Sequence, residues 1–326
     1  MLPDGRRLGL HLPLGGGMVR AVERAHEIGA TTLQVFADNP TAWRRRSQPP
    51  KELPAFRQRL VELDIRPVAI HASYLVNLAG PDEDFFSRSV GVLVSELRVG
   101  PGFAARFVNV HVGSHRGSGT AAGIRRVAEG IDRVLAEVEP GSDTPRLVLE
   151  NSAGGGDGLG TTVEELAAIL EAAAARGVDP ARLGFCLDTA HAWGAGYRIS
   201  EPAEIDALLE LFERLIGLER LVMIHLNDSK AKLGSKVDRH EHIAAGEIGA
   251  RGLAHILTHP RLAHAAYYLE TPGMEDGFDA VNIARCYALA AGKPLPDLPP
   301  EPTRARSRAR EARSTGAPEP AGPGPD

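Results

Sequence analysis

Nine residues of types that bind metal ions stand at, or just after, the carboxyl ends of short apolar runs in this chain of 326 residues. They are His71, His111, Glu150, Asp188, His191, His225, Asp238, His240 and Glu270. A zinc site is usually closed by about four ligands, so five histidines and four carboxylates are too many for one ion. They suit three ions that share a bridging carboxylate. A polynuclear site of this composition is typical of hydrolytic chemistry, most often on phosphate esters.

The elements that position these residues repeat eight times as a short apolar run, a loop and an amphipathic segment. The runs cover residues 8–12, 32–36, 67–72, 107–112, 146–151, 183–188, 221–227 and 265–271. Several are apolar at nearly every position, which is typical of buried parallel strands. Helical periodicity covers 18–28, 163–176 and 203–215. In the second of these helices, Thr161 and Thr162 are predicted to cap the start and Gly177 to mark the end. This alternation predicts a closed (β/α)₈ barrel rather than an open doubly wound sheet.

The composition agrees with one catalytic domain followed by a tail. With 43% hydrophobic and 24% charged residues, the chain can form a single barrel, which needs roughly 250 residues. We expect that domain over 1–293 and a disordered tail over 294–326, which is rich in Pro, Ala and Arg and has no apolar period. No apolar stretch reaches the roughly 18 residues of a membrane span, so no membrane partner is expected.

Cysteine content and charge limit the environment and the substrate. Cys186 and Cys286 are the only two cysteines, which predicts no disulfide framework and favours a reducing cytoplasm. The formal net charge of −5 omits bound metals, and three zinc ions would bring it to about +1 with the positive field at the site. Charge therefore does not exclude a polyanionic substrate.

In a barrel of this kind the chemistry lies at the carboxyl-terminal face, where all nine candidate ligands are predicted to fall. Asp238 and His240 are two residues apart, so an extended loop would point both side chains to the same side. A single histidine at a strand end is usually just hydrogen-bonded, but six consecutive strand ends with such residues favour a site. His11 also faces the barrel mouth, and either a substrate contact or a structural role suits it.

Three stretches make this sequence resemble a known family, the endonuclease IV class of apurinic/apyrimidinic endonucleases. They are 71–79 (HASYLVNLA), 184–191 (GFCLDTAH) and 225–240, which opens with HLNDSK and ends with GSKVDRH. Residues 150–154 (ENSAG) and 111–115 (HVGSH) add to the match, which extends from about Leu8 to Ala291. The resemblance implies cleavage of the phosphodiester 5′ to an abasic site in double-stranded DNA, with a 3′-hydroxyl left behind. It also implies a monomer.

The resemblance further implies a role for each ligand. His71 and His111 would hold a first zinc ion, which Glu150 bridges to a second. Asp188, His225 and Glu270 would complete the second ion, and His191, Asp238 and His240 would hold the third. Glu150, as the bridging ligand, and Glu270, which would orient the nucleophile, are the predicted catalytic residues.

The same resemblance implies a DNA-binding surface around the metals. Tyr74 and Leu75 would enter the base stack at the lesion, where a missing base makes insertion cheapest. Ser114, His115, Ser235 and Arg239 would touch the DNA backbone, and Asn227, Asp228 and Lys230 would lie behind the ligands or face phosphate. The chain departs from the family pattern at three places. Thr41 stands where an intercalating Arg is usual, with Arg44, Arg45 and Arg46 as candidate replacements. Ala190 replaces a Cys, and Ala244–Ala245 replace Gly-Glu.

Two other functions remain open from the sequence. Sugar isomerases and epimerases use the same barrel with fewer metal ligands, so they have no need of His191, Asp238 and His240. A DNA-damage binding protein without catalysis is the other alternative, and the presence of Glu150 and Glu270 is evidence against it.

Overall fold

The computed structural model describes residues 2–273 and 277–300. Its parallel strands are β1 (Leu8–His11), β2 (Thr32–Val35), β3 (Val68–His71), β4 (Ala105–His111), β5 (Arg146–Glu150), β6 (Leu183–Asp188), β7 (Leu221–His225) and β10 (Ala266–Leu269). Each pairs with the next along the chain, and β10 pairs with β1 to close the barrel. The predicted (β/α)₈ barrel is confirmed, and each predicted strand bound lies within two residues of the observed one.

Helices cover the outside of the barrel. They are α1 (Met18–Glu27), α2 (Leu53–Glu62), α3 (Glu83–Val99), α4 (Thr120–Ala136), α5 (Val163–Ala174), α6 (Thr189–Ala195), α7 (Pro202–Leu215), α8 (Gly249–Thr258) and α9 (Phe278–Ala290). The predicted start of α5 is confirmed, since the Thr162 side chain accepts a hydrogen bond from the Glu165 amide at 3.2 Å. A short antiparallel pair, β8 (Asp228–Ser229) and β9 (His240–Glu241), lies in the long loop between β7 and β10.

The barrel interior is filled by an apolar layer directly beneath the predicted ligands. Five of its members are Ala69, Val148, Cys186, Met223 and Tyr268. Each precedes a ligand at a strand end by two residues, and residues two apart on a strand point to the same side. Cys186 belongs to this core, as predicted, and burial raises the pKa of its thiol to about 12. This buried apolar layer therefore forms the base of the site, and the polar residues lie above it at the ends of the strands.

The end of the domain is described as far as residue 300. Residues 294–300 have no regular secondary structure, and Arg285 Nη1 donates to the carbonyl oxygen of Pro296 at 2.5 Å. The rest of the tail predicted over 294–326 lies outside the described residues, so its disorder stays a prediction. In the described ranges no helix combines the length and the apolar character that crossing a bilayer requires.

Candidate metal centre

The barrel brings all nine predicted ligands to one end. Five of them are the last residues of successive strands, namely His71, His111, Glu150, Asp188 and His225. Glu270 follows β10 directly, and His191 lies in the first turn of α6. His240 is held in β9 by its pairing with Ser229, so the long loop folds back over the barrel mouth. Residues that span 200 positions in sequence therefore meet around one centre.

Glu150 lies at the middle of the centre and is fully buried. One carboxylate oxygen, Oε2, lies 3.7 Å from His71 Nε2 and 3.9 Å from His111 Nδ1. The ligand atoms of these three residues all lie within 4.8 Å of one another. One ion could therefore be held by His71, His111 and Glu150, the set that the family resemblance implied.

The other oxygen of Glu150 belongs to a second group. Glu150 Oε1 lies 3.2 Å from His225 Nδ1, which in turn lies 3.3 Å from Glu270 Oε2 and 3.8 Å from Asp188 Oδ2. The ligand atoms of these four residues also lie within 4.8 Å of one another. Because Glu150 has one oxygen in each group, it is placed to bridge two ions.

A third group lies at the outer rim. Asp238 places one oxygen 3.1 Å from His191 Nε2 and the other 3.1 Å from His240 Nε2. Asp188 Oδ2 lies 3.6 Å from His240 Nε2, so Asp188 adjoins both the second and the third group, whereas the resemblance implied the second ion alone. The side chain of Asp188 is buried, but that of Asp238 is 55% exposed. The third group is therefore open to solvent on one side.

The hydrogen bonds of the histidines suit a metal. His71, His191 and His240 each place Nδ1 against a backbone carbonyl, at 2.8, 3.0 and 2.9 Å. A carbonyl only accepts, so Nδ1 carries the proton and the opposite nitrogen, Nε2, keeps its lone pair for the centre. Such outer partners orient metal-binding histidines and raise their basicity. The donor set of imidazole and carboxylate, with these tautomers, fits zinc.

The charges of the centre depend on one another. Burial alone would raise the pKa of Glu150, but His111 and His225 outweigh it and hold that pKa well below its usual range. Burial would likewise lower the pKa of His240, yet Asp188 and Asp238 raise it to about 9. Burying so many ionisable groups is costly unless opposite charges neutralise them. Without metal the imidazoles must take up protons for that purpose, so protons and metal ions compete for the same atoms.

Side-chain amides behind the ligands were mostly missed by the sequence reasoning. Asn109 Nδ2 donates to Glu150 Oε2 at 2.5 Å, and Asn151 Oδ1 accepts from the Asp188 amide at 2.6 Å. Asn227, which was expected behind the ligands, donates to Asp188 Oδ2 at 2.7 Å. The signal that could have found Asn109 was its position two residues before His111 on the same strand.

Asp228 does not have the predicted role. It is fully buried, and its carboxylate accepts the backbone amides of Ser229, Gly246, Ile248 and Gly249. It therefore shapes the loop before α8, since a buried carboxylate needs such donors, and it neither supports a ligand nor faces phosphate. Lys230 is exposed at the barrel mouth, where its Nζ lies 3.4 Å from Glu241 Oε2.

A cavity of about 380 Å³ lies at the centre, and of the predicted DNA-contacting residues Tyr74 lines it. Tyr74 is 61% exposed on its wall and packs edge-on against Phe36, with ring centroids 5.1 Å apart. Leu75 beside it is half-buried. The remaining predicted contacts, Ser114, His115, Ser235 and Arg239, follow β4 and β7 and are half-buried or exposed.

Of the three arginines considered as replacements at Thr41, one is unsuitable. Arg45 turns inward, where Nη1 lies 3.6 Å from the buried Glu96 and Nη2 donates to the carbonyl of Asn39 at 3.1 Å. Arg46 is paired with Asp38 at 3.2 Å. Arg44 is exposed. Arg44 is therefore the arginine of this segment that is best placed to reach bound DNA.

Comparisons with known proteins place this site in a family. The family model of the xylose isomerase-like TIM barrels matches residues 22–292. A probable endonuclease 4 from Halothermothrix orenii is 39% identical over 282 residues, which are 86% of this chain and 99% of the relative. One from Methanoculleus marisnigri is 39% identical over 87% of this chain and 98% of its own. The chain belongs to the endonuclease IV family and is a DNA endonuclease, a hydrolase.

Solved structures agree with this membership. Endonuclease IV from Thermus thermophilus is 38% identical, with a TM-score of 0.75 over 88% of this chain and 99% of its own. A D-tagatose 3-epimerase-like protein also superposes, with a TM-score of 0.63, but it is only 15% identical. That second likeness shows the shared barrel alone.

Proposed function

We propose that this enzyme hydrolyses the phosphodiester bond 5′ to abasic sites in duplex DNA with three zinc ions, leaving a 3′-hydroxyl and a 5′-deoxyribose phosphate. The observation that carries the proposal is the arrangement of three adjoining ligand groups, in which Glu150 belongs to two and Asp188 adjoins two. Three ions so close together suit one phosphate group, whose oxygens they can grip together. We further propose that the enzyme acts as a monomer in the cytoplasm.

The proposed ligands are those named from the sequence. His71, His111 and Glu150 would hold one ion, and Glu150, Asp188, His225 and Glu270 the second. His191, Asp238 and His240 would hold the third, with Asp188 beside it. Bound zinc would lower the pKa of water towards neutrality and offset the charge that develops on phosphate.

The protein's own side chains would orient the nucleophilic water and neutralise the charge of the bound ions. Glu270 lines the cavity, with Oε1 fixed by the Gln34 amide at 2.6 Å and Oε2 directed at His225. These contacts support the proposed role of Glu270, which is to orient a nucleophilic water. Glu150 would hold two ions, and its carboxylate is oriented by Asn109, which contacts Oε2, and by His225, which contacts Oε1. No covalent intermediate with a side chain is required.

Selection of the lesion would come from the loops. Tyr74 and Leu75 are proposed to wedge into the stack, which costs least where a base is absent. Ser114, His115, Lys230, Ser235 and Arg239 are proposed to hold the DNA backbone. Contacts to phosphate carry no sequence information, so the enzyme would recognise a missing base in any sequence context.

The direct test uses a duplex with one tetrahydrofuran abasic analogue, incubated with the zinc-loaded protein with and without a chelator. We expect metal-dependent cleavage on the 5′ side of the analogue and none of the undamaged duplex. An intact duplex, together with turnover of a ketohexose such as D-tagatose, would favour the epimerase alternative. A tightly bound but uncut duplex would favour a DNA-damage binding protein.

A further inference from the structure

Gln34 is a buried amide in β2 that touches the metal centre without being a predicted ligand. Its Nε2 donates to Glu270 Oε1 at 2.6 Å and lies 3.1 Å from His11 Nδ1. Its Oε1 lies 3.0 Å from His225 Nε2. One amide therefore joins a carboxylate and two histidines that the chain places on β1, β7 and the end of β10. In a fully buried place, each of these contacts has to match a donor with an acceptor.

The orientation of the amide follows from Glu270. A carboxylate can only accept, so the NH₂ group of Gln34 must face Glu270, and its carbonyl oxygen must then face His225. The carbonyl in turn requires a proton on His225 Nε2. The lone pair of neutral His225 is thereby left on Nδ1, which is the atom that lies between Glu150, Asp188 and Glu270.

The second N–H of the same amide fixes the tautomer of His11, and there the histidine nitrogen is the acceptor rather than the donor. It faces His11 Nδ1 at 3.1 Å, which makes Nδ1 the acceptor and leaves the proton on Nε2. The only competing partner of Nδ1 among the described residues is Glu270 Oε1, at the longer distance of 3.5 Å. His11 Nε2 is buried, and in the described structure it has no hydrogen-bond partner. A protonated nitrogen cannot bind a metal ion.

We propose that Gln34 is a positioning residue that holds His11 and His225 in tautomers with opposite consequences for metal binding. His225 is fixed with its Nδ1 lone pair towards the centre, and His11, which lines the same cavity, is kept from becoming a further ligand. Gln34 thus keeps the centre at its nine ligands, although a sixth imidazole, which would be a tenth ligand, stands beside it. This inference rests on the proposed three-metal function and adds a residue to it.

Two substitutions of Gln34 separate the two effects. In Gln34→Glu, the carboxyl oxygen that faces Glu270 must carry a proton to donate to it, and the other oxygen can still accept from His225 Nε2. Because that single O–H is used on Glu270, the new side chain can only accept from His11, so the proton of His11 moves to Nδ1. In Gln34→Met, neither constraint remains, and both histidines are free to change tautomer. Gln58→Met is the matched control, because Gln58 is an exposed amide on α2 that also donates to a carboxylate, Glu62 Oε1, at 2.8 Å.

The readout is the long-range ¹H–¹⁵N NMR spectrum of histidine-labelled, zinc-loaded full-length protein without DNA. We expect the proton on Nε2 of both His11 and His225 in the wild type and in Gln58→Met. His11 alone should change to Nδ1–H in Gln34→Glu. In Gln34→Met, zinc should dissociate about tenfold to a hundredfold faster, as for loss of other outer partners of metal ligands.

A wild-type spectrum with the proton of His11 on Nδ1, or unchanged spectra and zinc dissociation in both Gln34 variants, would overturn the inference. Because no DNA is present, the result is independent of the substrate. Cleavage of abasic DNA together with the wrong tautomers would refute the role of Gln34 alone. The expected tautomers together with an uncut duplex would refute the proposed substrate alone.

Discussion

Replacing Glu150 by Gln tests the bridging carboxylate, because this substitution keeps the shape and removes one negative charge. Glu150 is fully buried, and its oxygens lie 3.2–3.9 Å from the facing nitrogens of His71, His111, His191 and His225. At an effective dielectric constant of about 20, one pair of unit charges 4 Å apart contributes about 4 kcal/mol. That energy corresponds to roughly a thousandfold in affinity for each unit of charge on the ion. The first and second ions should therefore be lost or held very weakly.

The third ion should remain, because His191, Asp238 and His240 do not depend on Glu150 as a ligand. Elemental analysis should find about three zinc ions in the wild type and about one in Glu150→Gln, whose cleavage rate should fall by at least a thousandfold. Binding to the abasic duplex should stay within about tenfold, since the loops carry most DNA contacts. Glu241→Gln is the control, because it removes a charge at the same end of the barrel. Full metal content and near wild-type cleavage in Glu150→Gln would refute the bridging assignment.

Four further predictions concern stability and lesion binding. Removal of metal by a chelator should lower the free energy of unfolding. For one site, the loss should be about 4 kcal/mol if the free zinc concentration had been a thousand times the Kd, and restoring zinc should reverse the loss in thermal melts. Tyr74→Ala should weaken binding to abasic duplex about tenfold to a hundredfold and leave undamaged duplex unaffected, as loss of one stacking contact predicts; equal losses on both duplexes would argue against a wedge. Ala244 has a φ of 58°, in the left-handed region, so Ala244→Gly should raise the free energy of unfolding by up to about 1 kcal/mol, and a loss of that size would contradict the strain. Burial raises the pKa of the Glu96 carboxyl from 4.5 to about 8, so the stability that its protonated form contributes is lost as pH rises. Between pH 5.5 and 8.5, the free energy of unfolding of the wild type should fall by about 3 kcal/mol more than that of Glu96→Gln in denaturant titrations.

The gathering of the candidate ligands could be predicted from the sequence, because the carboxyl ends of all the strands of a parallel barrel lie at the same end of the barrel. Asp188 and His225 close adjacent runs, and parallel strands in register bring their ends together whatever the loops do. The proximity of Asp238 and His240 in the loop was also predictable, since their spacing and the family motif indicated a pair.

The hydrogen-bonded partners of those ligands could not be read in the same way. Gln34 lies between the apolar residues Leu33 and Val35, and its partner His225 is 191 positions away along the chain. Whether such an amide hydrogen-bonds to a carboxylate or to a histidine depends on the positions of the other strands around the barrel. Asp228 failed as a prediction for the same reason, because its partners come from a loop some twenty residues later.

The sequence by itself determined the barrel, the nine candidate ligands and the face on which they gather, because hydrophobic periodicity and strand ends are local properties. Only the tertiary structure decided that Asp188 adjoins two ligand groups, that Arg45 turns inward to Glu96, and which nitrogen of each histidine faces the centre. Those outcomes depend on distances between atoms on different strands and loops. Hydrogen bonds require matched donors and acceptors within about 3 Å, and a linear pattern of residues carries no such distance.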